Sequence, residues 1–197
     1  MRRQALDKIL TAGGMVVMLM LVVAGGLLLW GHNFTQNNVR KELAAQQIYF
    51  PPAGSDALKP AEVGTHLNKY AGQQLVNGEQ AKAYADYFIG VHLKDVADGQ
   101  TYAQVSSKAQ ADPTNTKLQA QVATLFKGET LRGLLLNAYA FDKIGQVALV
   151  GAIVSFSLAG VMALLSFLGI AHLRRVSPEE EIFGGNRTTG HKTPVTS

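Results

Sequence analysis

The residues best suited to chemistry in this chain are five histidines: His32, His66, His92, His172 and His191. A non-haem iron centre needs two histidines and a carboxylate converging on a metal that keeps open positions. In the central part of the chain His66 and His92, with Glu62 or Asp95, are the set that could do this. Glu62 and His66 stand four apart and so share one face of a helix. The same spacing serves an ordinary polar pair equally well. The sequence has neither His-x-x-x-His nor Glu-x-x-His. His92 sits at the edge of an apolar stripe, where a hydrogen-bonded structural imidazole is commoner than a ligand. There is no cysteine, which excludes disulfides, thiolate metal sites and a cysteine nucleophile. No G-x-S-x-G, Ser-x-x-Lys or phosphate-binding glycine loop is present. The expectation is therefore no catalytic residue, no metal ligand and no cofactor.

The elements around these residues say more. The chain has 197 residues and a formal net charge of +4. No charged residue lies between Ile9 and Gly31, or between Ile144 and Ala171. Thr11 to Trp30, TAGGMVVMLMLVVAGGLLLW, is long enough at ~1.5 Å per residue to cross a bilayer core. It follows a basic start but lacks a small-x-small cleavage site, which favours an uncleaved signal anchor. Residues 144–173 form a second, longer run that ends at Arg174-Arg175. Neither run contains Asp, Glu, Lys or Arg, so neither offers the ionisable groups of an ion or proton path. The basic excess clusters beside these runs rather than in a stripe, which points to a membrane and away from a nucleic acid.

Basic flanks set the orientation. Arg2, Arg3, Lys8, Arg174, Arg175 and Arg187 flank the terminal sides, against Arg40, Lys41, Arg132 and Lys143 on the inner sides. Both termini are expected in the cytoplasm (residues 1–10 and 174–197) and residues 31–143 outside, in a plasma (inner) membrane protein. Trp30 and Tyr139 would then lie near the outer interface.

Helical spacing recurs through residues 31–143 and strand alternation does not. Val39 and Leu43 begin a stripe that Pro51-Pro52 closes. Pro60 suits a first helical position. Asn77 with Gln80 and Thr101 with Gln104 read as capping boxes. Ala81, Tyr84, Ala85, Phe88, Ile89 and His92 form the clearest stripe, with Leu67 and Phe126 as expected neighbours in the core. Asp98-Gly99 is a turn, and Asp112-Pro113 reads as the N-cap and first residue of the next helix. Gly128 and Gly133 read as a kink or joint in it. The expected fold is all-α, with two transmembrane helices flanking an extracytoplasmic helical bundle. The stretch after Gly184-Gly185 is polar, without apolar periodicity, and reads as a disordered tail.

Small residues mark the membrane runs. Gly13-Gly14 and Gly25-Gly26 permit close helix approach, and Gly151, Ser155, Ala159 and Ala163 recur every fourth residue as a helix-packing ridge. Its expected partner is the first span, a second copy or another membrane protein.

The segments KELAAQQIYFPP (41–52), YAGQQLVNGEQAKAYADYFIGVHL (70–93) and LFKGETLRGLLLNAYAF (125–141) resemble an uncharacterised family of actinobacterial membrane proteins. The resemblance covers roughly residues 40–145. Some members carry an automatic label as an aromatic ring-opening dioxygenase, a label that the loose spacing of His66 and His92 does not support. Three functions follow as expectations. The first is a non-catalytic accessory or structural subunit that binds a partner through its outer domain and ridge. A receptor-like sensor signalling through a partner comes second, and an extracytoplasmic enzyme last.

Overall fold

The computed structural model describes residues 3–175. The expected disordered cytoplasmic tail (174–197), with Arg187 and His191, lies outside the described residues from residue 176 onward.

Helix α1 (Arg3–Ala45) and helix α6 (Thr116–Leu173) dominate the chain. Both are long and apolar enough to cross a membrane. Between them come α2 (Ala61–Leu67), α3 (Gly78–Ala83), a π-helical segment (Tyr84–Ile89), α4 (Gly90–Val96) and α5 (Tyr102–Ala111), with two short 3-10 turns at Asp56–Leu58 and Asn68–Tyr70. Among the described residues extended pairing is limited to a single bridge between Tyr49 and Gln74. The chain divides into two compact units, one made of Met1–Leu27 with Gly151–Ser197, the other of Leu28–Val150.

In the second unit α1 ends at Ala45, before the prolines, because Gln47 takes a left-handed turn at φ 53°. The turn frees Ile48 and Phe50 to pair with the segment after α2. Leu75 N–H donates to the Ile48 carbonyl at 2.8 Å, and Phe50 N–H donates to that of Gln73 at 2.9 Å. Phe50 is thereby driven into the core, 2% exposed, with its ring 5.1 Å from Tyr70 and edge-on to Tyr84 at 5.4 Å. Leu67, Leu75, Val105 and Leu125 complete the deepest layer.

The caps match the sequence signals in part. Thr101 and Gln104 form a reciprocal capping box on α5. Asn77 caps α3 by accepting from Gln80 N–H, but the Gln80 side chain accepts from Val76 N–H rather than from Asn77, so the second half of that box is displaced by one residue. Pro60 is the N-cap of α2, one place earlier than expected. Asn115, not Asp112, caps α6: its side chain accepts from Leu118 N–H, while Asp112 accepts from Thr114 and Asn115 in the preceding turn. The Asp98-Gly99 turn is present, with φ 49° and 74°.

Three further expectations are corrected. Gly128 and Gly133 neither kink nor joint α6, which runs unbroken through both. Gly128 instead makes room for Leu93, which a Cβ there would overlap. Phe126 is 58% exposed and touches Tyr102 at its surface, because Leu125 takes the inward position. The stripe on Ala81–His92 does not run at 3.6 residues per turn. The π-helical segment widens the turn and shifts the inward face to Ala85, Ile89, Leu93 and Ala97; Tyr84 and Phe88 pack beside it, and His92 is exposed.

Candidate functional site

Residue types predict packing in the first unit, and packing is what the geometry delivers. There α1 and α6 run antiparallel: Thr11 lies against Gly169, Gly14 against Ser166 and Gly25 against Phe156. A Cβ on Gly14 would stand 2.9 Å from Ser166 Oγ, and one on Gly25 3.0 Å from the Phe156 ring. Gly13 and Gly26 have nothing within 4 Å, so one glycine of each pair faces the partner helix and the other faces out.

The expected ridge residues separate. Ala159 is buried at 4%, Gly151 and Ser155 are half-buried, and Ala163 is exposed. The inward positions of α6 are Ala152, Ser155, Ala159, Met162, Ser166 and Gly169, and those of α1 are Thr11, Gly14, Met18, Leu21 and Gly25. Alternate steps of three and four average about 3.5 residues, the repeat of a left-handed two-helix seam. Near its end Asp7, Thr11, Gly14, Ser166, Gly169 and His172 line a cavity of about 300 Å³. Among the described residues, a buried carboxylate oxygen of Asp7 and the Ser166 hydroxyl have no hydrogen-bond partner.

In the second unit an ionic chain ties α3 and the π-helical segment to α6. Asp86 accepts from Lys82 Nζ at 2.5 Å and from Arg132 Nη2 at 3.2 Å. Lys143 pairs with Glu79 at 2.5 Å, and both lysines lie over the Tyr139 ring, 5.5 and 5.4 Å from its centre. Burial pushes the Asp86 carboxyl up, but hydrogen bonds and charge from Lys82 and Arg132 outweigh it and hold the group below the usual carboxylate range. The hydrogen bond to Asp86 raises Lys82, against desolvation. Burial raises the Tyr84 phenol. Tyr139 thus serves as a platform for two cations.

The histidines among the described residues do not converge. His66 stacks on Tyr87, centres 3.6 Å apart and planes 8° from parallel. His92 and Glu62 are exposed. His32 Nδ1 donates to the Gly145 carbonyl at 2.8 Å. Among the described residues no three His, Asp or Glu side chains come together as metal ligands would.

Sequence reasoning missed a groove of about 300 Å³ between the C-terminal part of α1 and α6. Val39, Leu43, Leu134, Leu135, Ala138 and Phe141 form its apolar wall, and Asn38, Glu42, Gln46 and Asn137 stand among them. The signal was the apolar run Leu134-Leu135-Leu136, of which Leu134 stays 63% exposed. A shallower depression on α1, lined by Trp30, Asn33, Phe34, Asn37, Asn38 and Lys41, shares Asn38 with it. No family model, curated protein or solved structure matches the chain.

Proposed function

We propose that this chain is a non-catalytic integral membrane protein, an accessory or structural subunit that crosses the membrane twice and presents residues 31–143 outside to a partner. Both termini lie in the cytoplasm. The observation that carries this reading is the exposure of the two apolar helices. Only 6% of the most apolar window in α1 and 11% of that in α6 is buried within the chain. Faces this apolar and this bare favour a lipid environment. The resemblance of residues 40–145 to actinobacterial two-span membrane proteins supports the same assignment. The protein associates through its outer helices and through small residues of α6 left outside the seam, such as the exposed Ala163.

The test uses the absence of cysteine. Single cysteines at Ser55 and Ser197 are labelled in intact cells with an impermeant maleimide. Labelling at position 55 alone is expected, and labelling at 197 alone refutes the topology. Purification from membranes in mild detergent then tests the function: a stoichiometric co-purifying protein is expected, and a chain that returns alone counts against an accessory role.

A further inference from the structure

The groove of the second unit stands beside the end of the second apolar run. Phe141, on its wall, precedes Ile144 by less than one helical turn, or ~4.5 Å of rise. On α1, Asn38 lies one turn beyond Phe34, whose ring stacks on Trp30 at 5.6 Å. Trp30 and Phe34 are both exposed, as rings at a bilayer interface are. Leu134 and Phe141 are exposed too, at 63% and 49%, and exposed Ile144 follows Phe141 within one turn on the neighbouring face of α6. The apolar wall of the groove is thus continuous with a surface that faces acyl chains. The depression beside it supplies the complementary chemistry: the Lys41 ammonium and the amides of Asn33, Asn37 and Asn38 are donors for a phosphate. Glu42, on the groove wall, repels an anion there and leaves the Lys41 side to receive it.

Resting on the membrane-spanning reading, we propose that an anionic phospholipid of the outer leaflet occupies this place, with one acyl chain in the groove between α1 and α6 and its phosphate on Lys41 and Asn38. The volume, about 300 Å³, is at the small end of ligand pockets and suits one chain rather than a whole lipid.

The experiment places the full chain in vesicles of phosphatidylcholine and phosphatidylglycerol carrying a photoreactive group on one acyl chain. Crosslinked peptides are then mapped. Lipids around the spans reach the spans and the turn next to them, so crosslinks at 131–138 report the groove. We expect them in wild type, and we expect Ala138→Trp and Leu134→Gln to remove them while span crosslinks persist. Lys41→Gln should lower groove labelling by phosphatidylglycerol about fivefold relative to phosphatidylcholine, the loss of one basic contact at an anionic surface. Crosslinks confined to the spans overturn the lipid proposal and leave the membrane reading standing. Absence of crosslinks throughout the chain overturns the membrane reading and the proposal with it. Groove labelling unchanged in all three variants also sinks the idea.

Discussion

A disulfide across the seam of the first unit turns its packing into a measurable equilibrium. A Cβ built on Gly169 lies 3.6 Å from Thr11 Cβ, inside the ~3.5–4.5 Å separation that a disulfide needs. Thr11→Cys with Gly169→Cys, in a chain that has no other cysteine, should therefore oxidise readily in membranes. The probe is then read with a second change one turn along. Gly14→Leu places its Cβ 2.9 Å from Ser166 Oγ, and the rest of the side chain has nowhere to go but into α6. Overpacking of this kind costs about 1–3 kcal/mol, which corresponds to a fall of about 5- to 150-fold in the paired population. Gly13→Leu is the control. It makes the same gain in helix propensity, yet has nothing within 4 Å of its Cβ. The assay cleaves residues 31–143 with protease after oxidation and measures, on a non-reducing gel, the fraction of α1 still linked to α6. Slow crosslinking in Gly14→Leu and wild-type rates in Gly13→Leu are expected. Equal rates in the two variants would refute the seam.

Three other predictions concern the second unit. Asp86→Asn should destabilise it by about 1–2 kcal/mol, since the charge-assisted bonds of a group 21% exposed are worth less than buried ones. Because its partners hold the folded-state pKa of Asp86 below the usual range, that stability is present above the unfolded value of about 3.9 and is lost as pH falls through the folded one; thermal unfolding of Asp86→Asn in mild detergent should therefore lose part of its acid dependence. Gly64→Ala should cost about 1–3 kcal/mol, because a Cβ there overlaps the rigid Leu58 carbonyl, whereas Gly133→Ala, with nothing within 4 Å, should gain up to about 1 kcal/mol; thermal shifts of the same sign would contradict the packing of α2. Leu67→Ala, at a fully buried side chain, should cost about 2–5 kcal/mol, while Phe126→Ala on the surface should cost less than about 1 kcal/mol, and a reversal of that order in denaturant titrations would overturn the core.

What could be read from the sequence was local. The charge-free runs, the Thr101–Gln104 cap and the Asp98-Gly99 turn each declare themselves within a few residues. Phe50 did not, since it stands beside two prolines and is buried only because distant residues Gln73 and Leu75 bond to its strand-like segment. The π-helical segment was invisible for a related reason. Its sequence has good 3.6-residue spacing, and only the packing of Leu93 against Gly128 shows that the inward face moves on. Leu125 and Phe126 stand ~100° apart on α6, so only one of them can point fully inward, and tertiary packing rather than local spacing selects Leu125. The ionic chain on Asp86 joins residues far apart in sequence and has no motif.

The ridge shows the same limit within the membrane runs. A step of four residues advances about 400°, so each step overshoots a full turn by about 40°. The drift is harmless over one step, but over three it reaches about 120°, a third of the way round the helix. Gly151, Ser155, Ala159 and Ala163 therefore cannot all face one straight neighbour, and Ala163 is the one left exposed. Alternating threes and fours cancel the drift, which is how Ala152, Ala159 and Ser166 stay inward together. The same rule explains α1, where the inward glycines, Gly14 and Gly25, are separated by steps of four, three and four through Met18 and Leu21. Composition located the small residues, but their phase depended on a partner helix whose own spacing had to be read alongside. An exposed small residue such as Ala163 is then not a failed contact of this seam. It is a position where a further helix could approach the backbone of α6 closely.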